Sequence, residues 1–309
     1  MPEIPQAREI HDFYGPASRE RYFSGATWAD CLHVAEQVAA TVAEVHASGF
    51  IVADLNEQNF LVSQDLKVTL IDCDSLMSRH DGQTTFGGPY RDEWLPPELI
   101  GVDFSNIERT QNHDNFALAM MLFRILMQGR HPFVGKPIGS TVPDDAEVIR
   151  THQFVYGALS STMAVPDSAP TFAILPKRLQ DMFIIAFGPA GRRRRPQAEE
   201  WQRTLKVVQR GLRECSAIPA RHVYAGHLGD CPWCELAGKG GMLLTARNAQ
   251  SSAFVSSEPS RGPTQQFRML SSTVPRRGGG RRLRAQLQGV FLLAVMLVTG
   301  GIVHLYAPG

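Results

Sequence analysis

The chain has 309 residues, 43% apolar and 20% charged, with a net charge of +1. That composition excludes a disordered or fibrous protein and allows a sizeable core in about two domains. Residues 259–309 carry seven arginines and no acid, which leaves −6 on residues 1–258; a mildly acidic body argues against a nucleic-acid partner.

The chain opens on a polar stretch, residues 1–21, without the apolar segment of a secretory signal. Thr27-Trp28-Ala29-Asp30 follows as a capping-box-like helix start, with Asp in place of Glu. Trp28, Leu32, Ala35, Val38, Ala39, Val42 and Val45 then recur at helical spacing, and Gly49 is a natural stop. Two β-like runs, residues 59–62 and 68–71, flank the turn Ser63-Gln64-Asp65. A second long helix is expected over about 115–127, ending at Gly129. It is apolar nearly all round, the pattern of a buried axis.

Next comes a short Cys/His-rich segment. Cys31, Cys73, Cys215, Cys231 and Cys234 are too few and unevenly placed for a disulfide scaffold, so a reducing compartment is the easier reading. Cys215, His222, Cys231 and Cys234, the last two as Cys-Pro-Trp-Cys, offer four soft or borderline ligands of the kind zinc takes in a tetrahedron. His227 competes with His222 for the fourth place, and two unligated thiols at a turn are the alternative. Residues 237–286 are rich in Gly, Ser, Gln, Thr and Arg, a flexible basic linker.

Residues 287–306 contain no Asp, Glu, Lys or Arg and approach the length that spans a bilayer. The arginines from Arg276 to Arg284 stand just before them. A single-pass membrane helix is expected, with the N-terminal body in the cytoplasm by the positive-inside rule.

The chemistry concentrates in two stretches. Asp54 and Asn59 are five apart, between a helix and a β-hairpin, and Asp72 lies thirteen beyond Asn59. One carboxylate can orient a hydroxyl while the other carboxylate and the amide supply the hard oxygens that magnesium takes beside phosphate. Each acid alone would read as a solvated loop carboxylate; the joint spacing reads as phosphoryl transfer.

Here the chain resembles the C-terminal lobe of protein kinases. Val52-Ala53-Asp54-Leu55-Asn56-Glu57-Gln58-Asn59 stands where that family has H-R-D-x-x-x-x-N. Asp72-Cys73-Asp74 stands for D-F-G, Pro96-Pro97-Glu98 for A-P-E, Asp114 for the aspartate opening the central helix, and Arg195-Pro196 for the late R-P. A group of bacterial kinase-like proteins is similar in more detail, sharing the unusual loop, D-C-D, P-P-E, N-H-D-N-F and a C-P-W-C segment; some of them carry helix-hairpin-helix repeats, for which no segment is evident here.

The resemblance implies a mainly α, kinase-like C-lobe over residues 1–212 with a short β-hairpin at the active site. A Cys/His module (213–236), the linker (237–286) and the membrane helix (287–306) follow. It implies ATP and magnesium, with Asp54 orienting a protein Ser or Thr hydroxyl, Asn59 and Asp72 holding the metal, and Leu61 flooring the adenine. It also implies that Glu98 pairs with Arg195 and that Asp114 braces the catalytic loop.

The departures matter as well. Val52 and Ala53 replace His-Arg, Asn56 replaces a lysine, and Asp74 replaces a glycine. Residues 1–53 contain neither a Gly-rich loop nor a Val-Ala-x-Lys strand, the first lysine being Lys67. The nucleotide-covering N-lobe is therefore expected to be missing, and residues 1–309 alone are expected to transfer little phosphate. A membrane-anchored pseudokinase or scaffold is the alternative, and an aminoglycoside- or choline-kinase-like phosphotransferase the runner-up. Ser75, Ser78, Thr84, Thr85 and Tyr90 fall in the activation segment. The substrate is not legible.

Overall fold

A computed structural model describes residues 7–72, 76–78, 92–103, 107–140 and 142–239. In chain order these form β1 (Arg8–Glu9), α1 (Ile10–Tyr14), α2 (Pro16–Tyr22), α3 (Trp28–Ala47), β2 (Phe50–Ile51), β3 (Phe60–Val62), β4 (Val68–Leu70) and β5 (Met77–Ser78). Then come α4 (Gln111–Leu126), β6 (Lys136–Pro137), α5 (Asp145–Arg150), β7 (Met163–Ala164), α6 (Lys177–Phe187) and α7 (Ala198–Gln209). A hairpin of β8 (Leu212–Glu214) and β9 (Val223–Ala225) and a last helix, α8 (Pro232–Gly238), complete them. The linker beyond Lys239 and the expected span at 287–306 lie outside the described residues, as do Cys73, Asp74 and most of the activation segment. Among the described residues no helix is long and apolar enough to cross a membrane.

α3 begins where the capping box places it. Thr27 Oγ1 accepts from the Ala29 N–H at 3.2 Å, and Asp30 Oδ2 accepts from the Thr27 N–H at 2.6 Å. Two donors at the helix start are thereby satisfied. The apolar stripe from Trp28 to Val45 is buried and packs on α4 and α7.

α4 is the axis. Every side chain from Asp114 to Phe123 is buried. It starts four residues before the apolar pattern does, because its first turn is fixed by hydrogen bonds rather than by burial of hydrocarbon. The Thr110 N–H donates to His113 Nδ1 at 3.1 Å. The Asn112 side-chain amide donates to the Gly191 carbonyl at 3.1 Å, and its Oδ1 accepts from the Arg195 N–H at 2.7 Å. Around α4, Phe123 meets Phe154, Phe183 and Phe187 edge-on, and Phe183 meets Trp201 at 4.7 Å between centroids. Such aromatic pairs add to the area they bury.

A wholly buried Arg19 ties the α1–α2 corner to the end of α4. It donates to the Phe13 carbonyl at 3.1 Å and to the Gln128 side-chain oxygen. The sheet elements are small. β1, β3 and β4 form one antiparallel sheet in that order, with Glu9 opposite Leu61 and Leu61 opposite Thr69; β2 pairs with β5. The hairpin is one residue shorter at each outer end than its apolar runs suggest, since Asn59 closes a 3-10 turn, Glu57–Asn59, and Ile71 lies past β4.

Candidate active site

The loop between β2 and the 3-10 turn is shaped by the axis helix. Asp114, 1% exposed, accepts from the Val52 N–H at 2.7 Å and the Ala53 N–H at 3.1 Å. His46 Nε2, from α3, lies 2.9 Å from the same carboxylate. Arg109 donates to the Ala53 carbonyl at 2.6 Å. Ala53 is thus gripped from both sides, which holds it in the left-handed region at φ 62°, a conformation a non-glycine residue keeps only when its surroundings impose it. The brace expected from Asp114 is present, and His46 serves it as a structural partner.

Asp54 follows directly. Asn59, 7% exposed, donates from Nδ2 to the Asp54 backbone carbonyl at 2.8 Å and to Asp54 Oδ2 at 3.3 Å. The amide nitrogen is committed to the aspartate, which leaves Asn59 Oδ1 as the acceptor turned away from it. The Ile71 N–H donates to the Asn59 carbonyl at 2.8 Å, so Asp72 sits one residue past that tie. Asp72 is exposed and also left-handed, at φ 57°. Leu61, midway along β3, lies on the opposite face from Phe60 and Val62, both wholly buried, and is itself half-buried.

Asn56 presents no cation to this site. Its Oδ1 accepts from the Gln58 N–H at 2.9 Å and its amide donates to the Asp54 carbonyl at 3.3 Å. Next to it is a cluster that spacing rules do not find. Glu57 accepts from the Tyr14 hydroxyl and, at 3.0 Å, from Arg124. Arg124 lies over the rings of Tyr14 and Trp94 at 4.9 and 5.4 Å. Burial pushes the Tyr14 hydroxyl well above its usual range; Arg124 opposes this and Glu57 reinforces it. Tyr14 and Arg124 stand 43 and 67 residues from Glu57, so no local pattern announces them.

Below the site, Arg195 grips Glu98 with both arms, Nη1 to Oε1 at 2.6 Å and Nη2 to Oε2 at 2.9 Å. Its Nε donates to the Ala186 carbonyl at 3.1 Å. Burial alone would raise the Glu98 carboxyl, but the bonds and charge of Arg195 outweigh it and hold the carboxyl below its usual value. Bidentate geometry of this kind is the strong form of an ion pair. Arg192, Arg193 and Arg194, by contrast, are exposed.

A model of the protein kinase domain matches residues 3–178. The chain belongs to the protein kinase family. It is 36% identical over 246 residues to "Protein kinase YegI" from Escherichia coli K12 and from Escherichia coli O157:H7. The match takes in 78% of this chain and 38% of each relative, so the chain spans well under half the length of the curated relatives it matches. The family match stops before Arg195, yet the pair that arginine makes with Glu98 binds the later helices to the matched part.

A protein kinase domain implies ATP and magnesium. The oxygens at this site suit a hard cation: the amide oxygen of Asn59, whose nitrogen is the atom turned to Asp54, and an exposed carboxylate at Asp72. Bound there, magnesium would neutralise charge on the phosphates. The protein's own contribution is to fix Asp54 and Asn59 to each other on a loop that Asp114 keeps from relaxing.

The second candidate centre lies farther along the chain, after α7. The ligand atoms of Cys215, His222, Cys231 and Cys234 all fall within 4.8 Å of one another. His227 is turned away, with Nε2 2.9 Å from the Ala173 carbonyl. The choice left open between the two histidines therefore falls on His222.

Proposed function

We propose that the whole protein is a membrane-anchored serine/threonine protein kinase, transferring the γ-phosphate of ATP to protein hydroxyls with magnesium. The observation that carries this reading is the hydrogen-bonded Asp54–Asn59 pair on a loop pinned by Asp114, in a chain of the protein kinase family. Asp54 would accept a hydrogen bond from the acceptor hydroxyl and orient it for in-line attack. Asn59 and Asp72 would hold the metal, and Leu61 would lie under the adenine. Positioning and charge stabilisation are most of what such a site contributes. The protein substrate stays unassigned. The anchor is residues 287–306, with the kinase domain on the cytoplasmic side.

Asn56 favours a second reading. Where a lysine would reach the phosphate, its side chain caps the 3-10 turn instead, which suits a pseudokinase that binds partners and transfers nothing. The Glu98–Arg195 pair supports the protein-kinase plan over a small-molecule phosphotransferase.

The deciding experiment is transfer of labelled phosphate from ATP by the full gene product, to itself or to added protein. Asp54→Ala should lower turnover by about 10²–10⁴-fold, and Asn59→Ala should raise the magnesium needed. Turnover untouched by Asp54→Ala would sink the enzymatic reading. Absence of turnover in a folded wild type would favour the scaffold. For the anchor, the full chain should pellet with membranes through a high-salt wash, and a chain ending at Arg284 should be released.

A further inference from the structure

The Cys/His corner has a geometry that ordinary packing does not explain. Cys215 follows β8 and His222 precedes β9, and the Cys215 N–H donates to the His222 carbonyl at 2.8 Å, so the hairpin register carries both to one end. Cys231 caps α8 and Cys234 lies in its first turn. Cys215 Sγ is 3.6 Å from Cys234 Sγ; His222 Nδ1 is 3.4 Å from Cys234 Sγ and 3.6 Å from Cys231 Sγ.

Those separations are the edges of a coordination tetrahedron. Zinc–sulfur bonds of about 2.3 Å and zinc–nitrogen bonds of about 2.0–2.1 Å put two sulfurs about 3.8 Å apart, and sulfur and nitrogen about 3.6 Å apart. A disulfide would need its sulfurs at about 2.05 Å, and all four described cysteines are free. The His222 ring is wholly buried, its Nδ1 faces only sulfur, and its Nε2 has no hydrogen-bond partner among the described residues. Among the described residues nothing else accounts for burying that imidazole against three thiols.

We propose that Cys215, His222 through Nδ1, Cys231 and Cys234 bind one structural zinc ion that staples the β8–β9 hairpin and α8 onto the start of α3. Four protein ligands close the coordination sphere and leave no place for a reacting water, which marks the ion as structural. A set of three thiolates and one imidazole in a tetrahedron selects zinc over harder cations. The staple reaches the kinase core through Trp233, between the two knuckle cysteines. Its indole donates to the Val223 carbonyl at 2.6 Å and lies 5.9 Å from the Trp28 ring. Trp28 in turn donates to the Leu126 carbonyl at the end of α4, at 3.1 Å. This inference does not depend on the catalytic reading and holds equally for a scaffold.

The test is metal analysis of the full chain purified without added metal, which should contain about one zinc per chain. Cobalt(II) exchanged into the site should show the thiolate charge-transfer and d–d absorption of a tetrahedral centre. Cys231→Ser and Cys234→Ser should each lose the metal, and His227→Ala should keep it. A cysteine variant that fails to fold would lose zinc for a trivial reason, so wild type is also titrated with a mercurial. Zinc release should track thiol modification, lower the thermal midpoint and change the tryptophan emission, and Trp233→Phe should abolish most of that change. Metal-free wild type with Cys215, Cys231 and Cys234 all open to alkylation would overturn the proposal. So would a disulfide among these cysteines in protein kept under reducing conditions, or full zinc occupancy in Cys231→Ser.

Discussion

The catalytic loop and the Cys/His corner are both assembled from residues distant in sequence, yet they close in opposite ways. Around the loop the fold itself supplies each counterpart: Asp114 faces two backbone N–H groups and His46, and Arg109 faces a carbonyl. In the corner, atoms that commonly bind metal face one another, three sulfurs and one ring nitrogen all within 4.8 Å. The first arrangement is a hydrogen-bonded polar network, stable as long as the chain is folded. The second would be satisfied by the zinc ion proposed above. A polar site can therefore take its shape from the chain or from a ligand, and the two kinds should fail differently, one with folding and the other with chelation.

The largest expected effect comes from breaking the first kind. Asp114→Ala would leave the Val52 and Ala53 amides buried without an acceptor and should cost about 3–5 kcal/mol, read from urea unfolding. An unchanged midpoint would mean that the loop holds its shape by other means. Arg195→Ala should come next, at about 3 kcal/mol, because it strands Glu98 and removes a bond to the Ala186 carbonyl.

Acid should separate the two regions further. Burial, helped by the charges of Arg109 and Arg195 and opposed by Glu98, lowers the His113 imidazole to about 4. Burial with Arg124 lowers His131 to about 3. The unfolded chain takes up these protons near 6.5. The stability that the neutral rings contribute is therefore fully present above pH 6.5 and is lost as pH falls toward the folded values. His113→Gln should flatten the stability profile between pH 6.5 and 4 by about 2–3 kcal/mol relative to wild type. Because protons competing for the Cys/His corner affect both proteins alike, the difference isolates His113; parallel profiles would discount it. The smallest effect is at the start of α3: Thr27→Ala should cost about 1 kcal/mol through the lost cap, without removing a zinc ligand or altering loop geometry.

Much of this was legible in the sequence where a pattern is local. The stripe from Trp28 to Val45 and its capping box gave α3, and the all-round apolar run gave the body of α4. The resemblance to protein kinases implied the Glu98–Arg195 pair and a brace from Asp114 on the catalytic loop. The start of α4 was missed because Asn112 and His113 are held by hydrogen bonds to distant backbone, which leave no periodicity. Glu57 with Tyr14 and Arg124, Arg19 with Gln128, and Arg109 with Ala53 were invisible for the same reason. Each is a polar contact made only after the helices have packed. The choice between His222 and His227 likewise needed the hairpin register, which sets one ring among the sulfurs and turns the other to Ala173.

The hydrogen bond from Val52 to Asp114 spans 62 residues, and it ties the order of folding to the onset of function. Closing so long a loop is entropically costly until α3 and α4 have docked, so the catalytic loop should acquire its shape in the same cooperative step as the core. No partly folded species would then hold Asp54 and Asn59 in register. The Val52 amide should accordingly exchange with deuterium only at the rate of global unfolding, among the slowest in the chain, and its protection would report directly on the fraction of molecules with this loop formed.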